Sequence, residues 1–292
     1  MDIFEILDNK FNLCNQVDGL NDMLFRDRPL RWGANYTFAH AFEEKLLRSW
    51  KYSMGRLTFE EPFSDLDLYN HSDKRKIVKK PENEQQAYLC LQLDINMLFY
   101  AEENVGVFQD YYWNADKFFT ETLRKYLYIV DKAGLQLVEH TQNKYMMLVP
   151  RDEKVKSVAE NTDKDTAILL YEYTSPLLKG NYKKKREILK LLANKIEPMS
   201  KVYRAKYQSG LGFDIFKDLD LILNNFEIRH PNMDSKIEKN YNEPLTKYTP
   251  KEWEEIYDTA YQMILEAFLV DNYNTIYSKI VQKHKDKIGL NK

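Results

Sequence analysis

The densest gathering of chemically capable side chains in this sequence reads Asn224-Asn225-Phe226-Glu227-Ile228-Arg229-His230-Pro231-Asn232. It follows an apolar pattern of helical spacing and precedes a polar stretch. Arginine grips phosphate through parallel N–H donors, and histidine moves a proton near neutral pH. Arg229 on a phosphate, His230 as acid or base, and Asn225 and Asn232 as further hydrogen-bonding groups would make an anion or nucleotide site. The same residues also suit a plain helix stop. Positive charge fits the negative end of the helix dipole, and Pro231 cannot continue a helix. Both readings stand at this level.

Two basic clusters are the other places to meet phosphate. Lys74-Arg75-Lys76 with Lys79-Lys80 lies in a polar loop, and Lys183-Lys184-Lys185-Arg186 opens a helix. Cations at a helix N-terminus oppose the dipole, so the second run asks for a reason. One is a polyanion tracked by the four cations, with Tyr182 stacking on a base. The other is a solvated face screened by Glu187 and nearby acids. His40 and Glu44 share one helical face, but a metal centre usually needs three or four ligands, so no metal is expected. No G-x-S-x-G elbow, H-E-x-x-H, C-x-x-C pair or glycine-rich phosphate loop occurs, and no cofactor is expected. Cys14 and Cys90 sit in apolar helical patterns and read as buried thiols of a reducing compartment.

These residues must be positioned by long regular elements, because 292 residues contain only 9 Gly and 9 Pro. With 43% hydrophobic and 30% charged residues the chain suits a folded globule. Lys+Arg 43 against Asp+Glu 45 leaves a net charge of −2, which excludes a global electrostatic footprint for nucleic acid or membrane while allowing local patches. No membrane-spanning stretch and no signal-peptide pattern is read, so a cytoplasmic protein is expected. Apolar periodicity predicts helices over 3–18, 35–54, a segment opened by Pro81-Glu82, and 106–132. Leu135-Gln136-Leu137 and Tyr145-Met146-Met147-Leu148-Val149 predict a small hairpin. The charged stretch 151–165 reads as a link between two halves, 1–150 and 151–292. Helices follow at about 165–178, 182–197, 199–209, 213–228 and 250–285, the last started by a Thr249/Glu252 capping box with Pro250 at the first helical position. The expected fold is all-α, an irregular helical bundle in two lobes with a small β-hairpin near 135–149.

A helix ending in Asn224-Asn225-x-x-Ile228-Arg229-His230, a polar loop, and a final helix with Trp253-Glu254-Glu255-Ile256-Tyr257-Asp258 resembles the HEPN superfamily. Leu178-Lys179-Gly180 followed by Lys184-Lys185-Arg186-Glu187-Ile188-Leu189 is similar to helical proteins of bacterial abortive-infection systems. The likeness covers about residues 165–270. It implies an all-α bundle, often a homodimer, that binds RNA in antiviral defence. It also implies metal-independent RNA cleavage, by 2′-hydroxyl attack with an acid/base histidine and a charge-stabilising arginine. The family pattern sets that histidine some four to six residues after its arginine. Here His230 follows Arg229 at once, and Asp234, Ser235 and Lys236 occupy the later positions. The competing expectations are a non-catalytic scaffold or regulator acting through protein contacts, and a small-ligand sensor lined by the 106–132 helix.

Overall fold

The computed structural model describes residues 11–26, 80–108, 115–140, 144–206, 211–229 and 248–288. The expected helix at 35–54, the His40/Glu44 pair and Lys74 to Lys79 lie outside the described residues. The chain divides into two compact units, Met1–Arg151 and Asp152–Lys292. The fold is predominantly helical with one small antiparallel sheet.

In the first unit α1 spans Leu13–Asn21, continues as a single π-type turn over Asp22–Arg26, and packs on α2, Glu84–Glu103. Asn12 caps α1 by accepting from the Asn15 N–H, which sets its start at Leu13; residues 3–10 of the helix expected at 3–18 lie outside the described residues. Asn83 likewise caps α2, so Pro81 precedes the helix instead of opening it. The Gln86 side chain reaches back to the Glu82 N–H and completes the cap. The expected helix at 106–132 is broken: Val105–Phe108 forms a short 3-10 turn, and α3 runs from Ala115 to Lys132. Gly134, at a φ of 68°, ends that helix in the left-handed region that glycine enters without a Cβ clash.

Strands β1 (Leu135–His140) and β2 (Tyr145–Pro150) follow in the register Leu135↔Pro150 to His140↔Tyr145. Helix α2 lies against β2 and presents two buried amides to its outer edge. Gln92 Oε1 accepts from the Leu148 N–H, while Asn96 accepts from the Met146 N–H and donates to the Met146 carbonyl at 2.8 Å. The helix thus stands in for a third strand. It meets backbone groups that would otherwise be buried without partners.

Among the described residues the second unit has helices only: α4 (Glu153–Ala159), α5 (Lys164–Tyr173), α6 (Tyr182–Lys206), α7 (Leu211–Asn225) and α8 (Pro250–Ile288). The stretch expected to be a link is therefore structured, with Asp152 capping α4 and Asp163 capping α5. The two helices expected at 182–197 and 199–209 are one, with Pro198 held inside it. Ile188, Leu192 and Ile196 of α6, Phe216, Leu219 and Leu223 of α7, and Tyr257, Ile264 and Phe268 of α8 form a continuous core. The capping box at α8 is present: Glu252 accepts from the Thr249 N–H at 2.7 Å and its own N–H reaches the Thr249 hydroxyl.

Candidate functional site

The end of α7 is shaped by its own sequence. Glu227 takes a left-handed φ of 57°, and the Arg229 N–H turns back to the Leu223 carbonyl at 2.9 Å. Ile228 is buried in the core at 1% exposure, which fixes the turn from beneath. Arg186, from the first turn of α6, donates Nε to the Glu227 carbonyl at 2.7 Å and pairs with the Glu227 carboxylate. A carbonyl left open at a helix end is thereby met by a cation, the arrangement the helix dipole favours.

That turn directs Arg229 inward. One terminal nitrogen donates to Asp220 Oδ1 at 2.8 Å, and Asp220 Oδ2 accepts from the Ser200 hydroxyl at 2.6 Å. The Arg229 and Asp220 side chains are only 13% and 12% exposed. The other guanidinium nitrogens, Nε and Nη2, are buried without a hydrogen-bond partner among the described residues, and so is Oδ1 of Asn225 at the helix end. Across from them Glu197 is held below its ordinary carboxylate range, chiefly by the hydrogen bond from Lys201 and further by Arg229. A buried donor with no acceptor costs about 1–3 kcal/mol, and more when charged, so such a pair of nitrogens needs a partner of another kind. Asn224 is exposed. His230, Pro231 and Asn232 lie outside the described residues.

The four cations expected to track a polyanion do not share one surface. Lys183 is exposed, Lys184 pairs with Glu187, and Arg186 caps α7. Lys185 is buried, with Nζ 2.7 Å from Glu254 and 2.8 Å from Asp258, and it stands over the Tyr173 ring. Tyr173 donates its hydroxyl to Asp258 and stacks on Tyr261 at 4.1 Å. Burial opposes ionisation of Glu254, yet the hydrogen bonds from Lys185 and from the Gly180 N–H keep its carboxyl below the ordinary value. Tyr173, Lys185, Asp258 and Tyr261 border an open cavity of about 290 Å³ with Ser175, Lys179 and Gln262. Tyr182 is half-buried and packs against the core, so its ring is not set out for stacking on a base. The spacing signal for this was in the sequence: Lys185 precedes Ile188, Leu189 and Leu192 on the apolar face of α6. Asp220 lies likewise between Leu219 and Leu223, and a charge on a buried face demands a partner.

In the first unit Asp94 is fully buried, and burial raises its pKa to about 8 against the hydrogen bond from Tyr126, 3.0 Å away. Cys90 is buried beside it, and burial pushes its thiol up. Cys14 is only partly buried. Among the described residues no group of His, Cys, Asp and Glu is arranged to hold a metal ion. No helix among them is long and apolar enough to cross a membrane. Comparison of the chain with protein-family models, curated proteins and solved structures found no match.

Proposed function

We propose that the C-terminal unit binds RNA, holding a backbone phosphate at Arg229. The observation that carries this reading is the pair of guanidinium nitrogens at the end of α7 with no partner among the described residues, accompanied by Asn225 Oδ1, buried and likewise without one. Asp220 and Ser200 orient the guanidinium from one side and leave Nε and Nη2 as parallel donors, the fork geometry that suits a phosphate. The resemblance to HEPN proteins supports the same partner, and it implies cleavage by Arg229 with His230 without a metal. Exposed Lys183 supplies nearby charge of the kind that phosphate contacts need.

The test compares the wild-type chain with Arg229→Lys, which keeps the charge beside Asp220 but removes the fork. Anisotropy titration with single-stranded RNA at low salt should show at least about tenfold weaker binding, with the thermal midpoint little changed. Incubation with total RNA in chelator, for wild type and His230→Ala, then separates binding from cutting. If the chain retains no RNA at low salt, or Arg229→Lys binds as wild type does, the reading falls. A second reading, a regulator acting through protein contacts, is favoured by a separate observation: the large apolar side chains left exposed along the end of α8.

A further inference from the structure

Helix α8 is 39 residues long, but its packed part is shorter. Phe268 is the last of its core residues, and Asn274 donates to the Tyr203 hydroxyl at 2.7 Å, the last hydrogen bond from α8 to another helix among the described residues. From Thr275 to Lys287 every side chain is exposed except half-buried Val281. At a rise of about 1.5 Å per residue, this leaves about 20 Å of helix beyond the core. A helical segment of roughly 12–15 residues is marginal in water without packing along one face.

That face exists. Tyr273, Ile276, Tyr277 and Ile280 are 68%, 53%, 56% and 62% exposed, and they recur at the three- and four-residue spacing of one helical side. The same side runs back through half-buried Leu269 to exposed Glu266, which also accepts from Lys154 at 3.3 Å, and forward through exposed His284 to exposed Lys287, with Lys283 on its flank. The stripe is thus apolar at its centre, acidic at its proximal end and basic at its distal end.

We infer that this stripe pairs with the same stripe of a second copy of the chain, the two α8 ends running antiparallel. The sequence is self-complementary in that orientation alone. Setting Tyr273 against Ile280 of the other copy also sets Ile276 against its Tyr277, so each ring meets a branched aliphatic chain. The same register brings Glu266 opposite Lys287 at both ends, the isologous pattern of a two-fold axis. A parallel pairing would place Lys283 and Lys287 against their own copies. The contact buries on the order of 1,000 Å², at the low end for stable interfaces, so dissociation in the micromolar range is expected. The inference does not depend on Arg229 or on RNA.

Sedimentation equilibrium of the full chain from about 1 to 100 µM should give a monomer–dimer equilibrium. Ile276→Asp with Ile280→Asp should be monomeric throughout, with the circular dichroism of dilute, monomeric wild type, since both side chains are solvated in the single copy. Glu266→Lys alone and Lys287→Glu alone should each weaken the dimer about tenfold, because two-fold symmetry counts every pair twice. The two charge changes together should restore it. A wild-type chain that stays monomeric overturns the proposal, as does an Asp double variant that still dimerises. A combined charge swap that fails to recover affinity overturns the antiparallel register. If the Asp variant melts at lower temperature than the wild type even at concentrations where the wild type is monomeric, the stripe is covered by a segment of its own chain, which overturns the proposal too.

Discussion

Lys183 and Lys185 stand two residues apart on α6 and have opposite surroundings: one faces water, the other bridges Glu254 and Asp258 beneath the Tyr173 ring. The reason is angular. Two residues of helix turn a side chain through more than half a revolution, so a run of like charges cannot share one environment when one face of the helix is core. Removing the buried member leaves two carboxylates facing each other, one of them mostly covered. Lys185→Met should therefore cost about 3 kcal/mol in urea unfolding, the lower end for a broken buried pair because Asp258 is half exposed. Lys183→Met should change stability by less than about 0.5 kcal/mol. Equal effects from the two would show that Lys185 is not bound as described. Arg229 follows the same logic in reverse, since its charge is met by Asp220 while two of its donors are not.

At the scale of elements, the α2–hairpin contact depends on Gln92 and Asn96, two buried amides one turn apart on α2. Each satisfies backbone groups on the outer edge of β2, and truncation would leave those groups buried and unmet. Asn96→Ala should destabilise the first unit by about 2–4 kcal/mol, having removed a buried amide with two backbone partners. Asn96→Asp should be no better, because a carboxylate cannot donate to the Met146 carbonyl. Urea unfolding followed by tyrosine fluorescence measures both, and a loss under about 0.5 kcal/mol for Asn96→Ala would discount the edge-pairing role. Periodicity made the helices, the hairpin and the α8 capping box legible in the sequence, because those follow from residues close in the chain. It missed the joint at Val105–Phe108 and the caps by Asn12 and Asn83, where one local hydrogen bond outweighs a favourable apolar pattern. It split α6 wrongly at Pro198, since tertiary packing of α6 on α7 and α8 holds a proline that propensity alone would expel. The candidate site was legible as residue types and not as geometry. Asp220, Ser200 and Glu254 sit nine or more positions from the cations they serve, and only the folded bundle brings them together.

On the scale of the whole chain, two units with separate cores carry two unlike linked equilibria, and these allow the units to be told apart in one experiment. Asp94 in the first unit has a folded pKa of about 8 set by burial, against roughly 3.9 when unfolded. The folded state therefore binds more protons between those values. For a carboxyl raised in this way, stability is highest below the unfolded pKa and falls as pH climbs toward the folded one. The first unit should lose on the order of a few kcal/mol between pH 5 and pH 8, and Asp94→Asn should remove most of that slope while keeping an acceptor for Tyr126. The second unit has its own dependence, on concentration, because a dimer formed only by the folded state raises its melting temperature by mass action. Calorimetry of the full chain should therefore show two transitions. One moves down by several degrees from pH 5 to pH 8 and is indifferent to concentration. The other rises by about 2–4 °C per tenfold increase in protein and loses that rise in the Ile276→Asp, Ile280→Asp variant. A single transition answering to both pH and concentration would mean that the two cores unfold as one, and the separate linkages would have to be abandoned.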